Sequence, residues 1–306
     1  PSVLTGAIGD FATQAERDYV FGVRRFDTKY EQMILSAFAT GDLFELPAGP
    51  VGAVVGFEVR KDKIDSRPNE VAGNGLLFGF FKDRGAVGSK TIKEAFAEVD
   101  IPLKADEFLV QELNLNLAGR VTDEEFYGTN FTYSVKANWR PVDPLNLKFT
   151  YGTSFRAPNL RENFLVGQSG FLNIFDPCAV PANAFLSQAG GYQPGLDNRD
   201  PSVIANCLRE GRDPTVVGVD PQGLNVIQSA SAEINTQGTF DIEPERSRSL
   251  TAGFAFEEKF GSWDVSLAGS YFDIKLKDSI VEVASQFAVN DCFGRDDATV
   301  SPFCSL

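Results

Sequence analysis

Histidine is absent from all 306 residues of the chain. Its absence removes Ser-His-Asp and Cys-His catalysis from this stretch, together with histidine-based metal sites. No convincing nucleophile constellation stands in its place, so the chain is expected to hold no catalytic residue, metal site or cofactor. It contains no run of about 18 apolar residues, which excludes a membrane-spanning helix. Positive charge is scarce: 28 Lys and Arg against 42 Asp and Glu leave a formal net charge of −14. A nucleic-acid partner needs the opposite balance. No signal segment precedes Pro1-Ser2-Val3, and the chain reads as starting inside a longer protein. Methionine occurs once and cysteine four times. Cys178, Cys207, Cys292 and Cys304 fit no zinc spacing and sit in turn-rich segments, which points to loop disulfides in an oxidising compartment. Cys178 is expected to pair with Cys207, and Cys292 with Cys304. Each pair lies within one loop, whereas crossed pairs would tie two loops across strands.

What the chain has in quantity is phenylalanine, 27 residues, and glycine, 28. Its clearest pattern runs from Asn130 to Phe164. Phe131, Tyr133, Val135, Ala137 and Trp139 alternate with Asn130, Thr132, Ser134, Lys136, Asn138 and Arg140. Pro141-Val142-Asp143-Pro144 breaks the run. Leu145, Leu147, Phe149, Tyr151 and Phe155 then alternate with Asn146, Lys148, Thr150, Ser154 and Arg156. Period-two alternation around a short break predicts an antiparallel hairpin, with the aromatic face outward.

The same pattern recurs along the chain. Residues 1–29 read as a surface loop. Strands are expected at Tyr30–Leu46, Val51–Lys61, Thr91–Ile101 and Leu113–Val121, then the hairpin, then Leu250–Phe256 and Trp263–Lys277. Gly73-Asn74-Gly75 lacks the strand-then-helix context of a phosphate loop and reads as a plain loop. Residues 157–247 carry repeated Asp-Pro steps that start turns. A segment that long without alternation is functional or disordered, and its two cysteines argue for an ordered, stapled loop. Residues 278–306 form a further loop that stops without a closing strand.

About eight strands of roughly ten residues result, joined alternately by short turns (47–50, 102–108, 140–144, 258–262) and long loops (62–90, 157–247, after 278). Short turns on one side and long loops on the other are the asymmetry of an outer-membrane barrel, with the apolar face toward lipid and the polar face lining water. Trp139 and Trp263 lie at short-turn ends, where an aromatic girdle belongs, although ordinary packing also accounts for each. The fold class is therefore all-β: an antiparallel transmembrane β-barrel, with residues 30–277 as a partial barrel carrying the extracellular loop 157–247.

Particular stretches carry a family likeness. Glu45-Leu-Pro-Ala-Gly-Pro-Val-Gly-Ala, Glu94-Ala-Phe-Ala-Glu-Val-Asp-Ile-Pro-Leu and Tyr151-Gly-Thr-Ser-Phe-Arg-Ala-Pro-Asn-Leu-Arg-Glu, followed in order by Asp176-Pro-Cys, Pro244-Glu and Tyr271-Phe-Asp-Ile-Lys-Leu-Lys-Asp-Ser-Ile, resemble the barrel of TonB-dependent outer-membrane receptors. The resemblance implies a barrel of roughly 22 strands with a plugged lumen. It implies energised import of a scarce nutrient, such as a ferric siderophore, cobalamin or an oligosaccharide. The partners it implies are outer-membrane lipid, the nutrient, and the TonB energy-transducing complex acting through a plug. Plug and TonB box do not occur in these residues, so the chain corresponds to the middle third of such a receptor and is expected to form an open, C-shaped wall. A passive porin or surface-binding barrel is the other reading.

Arginines are the candidate ligand contacts. Arg156 faces the lumen near the extracellular rim, for ligand capture, a plug contact, or an ion pair with Glu112 or Glu94. Loop 157–247 holds Arg161, Arg199, Arg209, Arg212 and Arg246 but no lysine. Such a set can grip an anionic chelate or sugar acid, or pair with the loop's more numerous acids. Asp197-Asn198-Arg199-Asp200 hints at calcium but lacks the glycine and distant glutamate of a hand-type loop. Asn130-Phe131-Thr132 matches the glycosylation pattern but lies on a strand.

Overall fold

The computed structural model describes residues 13–187, 190–295 and 300–305. Twelve strands and five α-helices follow one another among them. The wall strands are β1 (Phe26–Leu46), β2 (Gly49–Pro68), β3 (Gly85–Glu107), β4 (Val110–Glu124), β5 (Gly128–Val142) and β6 (Leu145–Arg156). The loop strands are β7 (Leu165–Phe175), β8 (Phe185–Leu186), β9 (Gly191–Tyr192) and β10 (Ser229–Thr236), and the wall resumes with β11 (Glu245–Phe260) and β12 (Trp263–Lys277). The helices are α1 (Gln14–Val20), α2 (Glu70–Gly73), α3 (Leu160–Phe164), α4 (Pro201–Arg209) and α5 (Ser285–Gly294).

Eight strands make the wall in the order β1-β2-β3-β4-β5-β6-β11-β12, and every neighbouring pair is antiparallel. β1 and β12 end this path without pairing each other, so the sheet is open, as expected. The alternation read from the sequence matches the register. Val135 faces Tyr151, Ala137 faces Phe149 and Trp139 faces Leu147 on one face, and Lys136 faces Thr150 on the other. On the apolar face Phe131 is 64% and Leu267 59% exposed. A face this rich in bare aromatic and aliphatic groups matches a lipid-covered surface.

Three expectations need correction. The first wall strand begins at Phe26, not Tyr30, and residues 14–20 are helix rather than loop; residues 1–12 lie outside the described residues. Thr13 caps α1 in a capping box with Glu16, a signal present in the sequence. Second, β2 and β3 run well past the expected ends, to Pro68 and back to Gly85. A strand needs only about ten residues to cross a bilayer. A strand that runs past that length has no apolar face to keep, and Lys61-Asp-Lys-Ile-Asp-Ser-Arg shows no apolar alternation although it is strand. Third, segment 157–247 is ordered and stapled as expected but carries strands of its own, and the wall resumes within it at Glu245. β7 pairs with β10 from Phe175↔Ser229 to Gln168↔Thr236, and β7 also touches β3 through Gly85↔Gly167.

The apolar cluster of Ile64, Ala86, Leu160 and Leu165, with Phe164 against it, sits where this loop leaves the wall. Gly85 has φ +70°, and a Cβ there would stand 2.0 Å from the Ser66 carbonyl oxygen, so only glycine permits β2 and β3 to close at this point.

Candidate functional site

The short turns gather at one end of the wall and the long loops at the other, the asymmetry expected of a barrel wall from the sequence pattern. Inward side chains below the long loops form a polar ladder. Glu94 accepts from Arg120 and Thr122, each at 2.7 Å, and Glu98 from Asn116 at 2.7 Å. Arg120 also lies over the Phe96 ring, 4.9 Å from its centroid. Glu112 accepts from Asn114 at 2.7 Å and stands 4.0 Å from Arg140. Paired charges of this kind suit a water-lined wall.

At the rim the chain turns inward at Pro158. The buried Lys90 ammonium donates to the Pro158 carbonyl at 2.6 Å and lies 3.2 Å from the fully buried Glu124 carboxylate. The other Glu124 oxygen accepts the backbone N–H groups of Phe126 and Tyr127. Asn159 then caps α3, with Glu162 closing a capping box. Phe126, Phe164 and Phe240 pack ring to ring at 5.0–5.7 Å. Gly238 sits so close to α3 that a Cβ would lie 2.6 Å from the Glu162 carbonyl. The loop thus leaves and re-enters the wall through one packed knot.

Arg156 belongs to that knot. It is ion-paired, with Glu245 at 2.5 Å and Glu162 at 3.1 Å. Glu112 and Glu94, the expected partners, serve Arg140 and Arg120 instead. The reason is the sheet order: β6 pairs with β11 across the loop, which sets Glu245 directly opposite Arg156.

The loop body above is stapled as expected. Cys178 is bonded to Cys207 and Cys292 to Cys304, with Cα atoms 5.7 and 5.1 Å apart. Its centre is Arg199, whose side chain is 9% exposed. Nε donates to Asp197, Nη1 to the Cys178 and Ala179 carbonyls, and Nη2 to Asp197 (2.6 Å) and the Pro214 carbonyl (2.7 Å). All five N–H groups are used, so Arg199 has none left for a ligand and is a structural residue. Hydrogen bonding from Arg199 holds the Asp197 carboxyl down to about 2. Asp200 caps α4 through the Ser202 N–H. Both carboxylates of the calcium-like run are therefore engaged.

The other arginines scatter. Arg161 donates to Gln168. Arg209 donates to Glu210 and Asn206. Arg212 pairs with Asp176 at 2.5 Å and lies over the Phe293 ring. Arg246 is not in the loop at all but on β11.

The two long loops dock on each other. Asn206 donates to the Phe293 and Arg295 carbonyls, and Gln286 both accepts from and donates to the Phe175 backbone. Between the β7–β10 strand pair and α5 lies a cleft of ≈ 1260 Å³ with apolar walls from Leu172, Ile174, Ile234, Val289, Phe293 and Phe303. Its charged lining groups are Glu210, Glu233 and Glu282; among the described residues no Lys or Arg lines it. Reading single residues missed this cleft, because β10 (Ser-Ala-Ser-Ala-Glu-Ile-Asn-Thr) carries too little apolar alternation to register as a strand.

Residues 4–301 match the model of the TonB dependent receptor-like, beta-barrel family. The chain belongs to that family. Among solved structures this receptor barrel is similar to a mutant ferric enterobactin receptor PfeA from Pseudomonas aeruginosa in complex with enterobactin, with TM-score 0.50 and 15% identity over 82% of this chain and 27% of that one. The siderophore receptor PirA from the same organism gives TM-score 0.47 at 16% identity, over 83% and 34%. The Serratia marcescens hemophore receptor HasR, a double mutant with its hemophore HasA and heme, gives 0.46 at 14%, over 83% and 34%. At these identities the likeness bears on fold alone. The receptor barrel chain spans about a third or less of the length of these solved receptors. No curated protein matches the sequence.

Proposed function

We propose that the protein carrying this chain is an energised importer that takes a scarce nutrient across the bacterial outer membrane. The nutrient is a ferric siderophore, cobalamin or an oligosaccharide, the coupling partner is the TonB complex acting through a plug, and the protein is not an enzyme. The observation that carries the reading is family membership over residues 4–301. Two features of the chain support it. The inward face is a hydrated, charge-paired wall, and two disulfide-stapled loops dock over its mouth to form a cleft large enough for a drug-sized ligand. Arg161, Arg209 and Arg212, exposed and each with donors left over, are the three of the five candidate arginines fitted to contact an anionic ligand; Arg156 and Arg199 are held in the scaffold by their own partners. The test is growth of a deletion strain under iron, cobalamin or carbon limitation, with the full gene restored in cells with and without TonB. Rescue only with TonB supports the importer; equal rescue without it makes the protein a passive pore or surface binder.

A further inference from the structure

Register sets four cations against one another on the outer face of β11 and β12. Arg246 stands opposite Lys277, and Arg248 opposite Lys275. Side chains directly opposite in an antiparallel pair lie about 4.5–5.5 Å apart at Cβ, and like charges there are destabilising. All four residues are exposed. Counter-charge is thin. Asp273 reaches Lys275 at 3.5 Å, and Arg246 donates to the neutral Asn130 at 3.2 Å. Among the described residues, the Arg248 and Lys277 side chains make no hydrogen bond or ion pair.

The height of the quartet matters as much as its charge. Below it on the same face come Leu250, Ala252, Phe254 and Phe256 of β11, facing Asp273, Tyr271, Gly269 and Leu267, and then Glu258, facing Val265; Asp273 and Glu258 are the acidic residues inside the run before the short turn. Phe260 and Trp263 close the face at the short turn. From Leu250 to Phe260 the strand runs about 34 Å at about 3.4 Å per residue. At a tilt of about 45° that is about 24 Å along the membrane normal, the height of a barrel's apolar band. The quartet therefore begins where the band ends, on the long-loop side, at headgroup depth. Arginine forks and lysine ammonium groups both bind phosphate oxygens.

We propose that Arg246, Arg248, Lys275 and Lys277 form a binding site for the phosphate group of a net-anionic lipid in the outer leaflet, whose charge offsets the like-charged register. The site rests on the lipid-facing reading of β11 and β12. Full-length receptor, freed of lipid in neutral detergent, is titrated with phosphatidylglycerol, phosphatidylcholine and inorganic phosphate and read by native mass spectrometry. Phosphatidylglycerol should bind in preference to phosphatidylcholine. R246Q/R248Q/K275Q/K277Q should weaken phosphatidylglycerol binding at least tenfold and leave phosphatidylcholine binding unchanged. K136Q/K148Q, on the inward face, should change neither. Heat-shifted migration on gels confirms that each barrel is folded. Undiminished phosphatidylglycerol binding to the folded quadruple variant overturns the site, as does equal loss in K136Q/K148Q. So does competition by inorganic phosphate at lipid-like concentration, which makes it a free-anion site. A probe at Phe254 is read with a bilayer quencher in both proteins. Quenching with retained lipid binding overturns the charge site alone, and failure to quench overturns the lipid-facing reading beneath it.

Discussion

Replacing Arg199 by methionine should loosen the loop body rather than merely weaken ligand capture. The substitution removes a guanidinium whose five N–H groups serve Asp197 and the carbonyls of Cys178, Ala179 and Pro214. Asp197, 3% exposed, keeps only the Tyr192 hydroxyl at 2.7 Å and the residue-199 N–H at 3.0 Å. Breaking a buried ion pair from one side costs about 3–5 kcal/mol, and the three freed carbonyls point the same way. At about 1.4 kcal/mol per tenfold, the opening equilibrium should rise by roughly two to four orders of magnitude. Cys178 and Cys207 are fully buried within this network, so their disulfide reports opening. The assay is the rate of Cys178–Cys207 reduction by a phosphine in folded full-length receptor, followed by peptide mapping. Arg199→Lys keeps the charge without the fork and should fall between. The double variant R199M/D197N should recover part of the loss, because the stranded charge is gone. An unchanged reduction rate in Arg199→Met, with the barrel intact, refutes the argument.

Two further expectations concern charge. The Asp197 carboxyl sits at about 2 in the folded loop, below the ordinary value of about 3.9. Its contribution of about 2–3 kcal/mol is therefore fully present above pH ~4 and is lost as pH falls toward 2. Reduction of the Cys178–Cys207 bond should be insensitive to this group from pH 7 to 5 and accelerate below about 4; a structural acceleration already between pH 7 and 5 would contradict it. Lys90→Met strands the Glu124 carboxylate, whose side chain is 0% exposed, at a cost of about 3–5 kcal/mol, and frees the Pro158 carbonyl. The temperature at which the full-length barrel loses its heat-shifted gel migration should drop, and K90M/E124L should recover part of the drop; equal temperatures for wild type and Lys90→Met would remove Lys90–Glu124 from the rim's support.

The wall was legible because one apolar and one polar face impose period two on every strand of it. Phe131–Trp139 and Leu145–Phe155 show it most cleanly. Legibility ended where that boundary condition ended. Lys61–Pro68 and Gly85–Lys90 are strand beyond the alternating part of the wall, so nothing in their alternation separates them from loop. β7 and β10 pair through Gly-Gln-Ser-Gly and Ser-Ala-Ser-Ala, which leave no apolar stripe. The disulfides were readable from locality alone. Arg199 was not, since its partners are largely backbone carbonyls, which no side-chain pattern records. The Arg156 partner was recoverable in principle: treating residues 157–244 as an insertion between adjacent strands brings Glu245 opposite Arg156.

The most direct test of the account is an accessibility scan along residues 145–155 in full-length receptor within a bilayer, one spin label per position. Leu147, Phe149 and Tyr151 should be reached by a lipid-soluble quencher, and Asn146, Lys148 and Thr150 by a water-soluble one, in strict alternation. Uniform accessibility, or a period near 3.6, would mean that this hairpin is not the wall of an outer-membrane barrel.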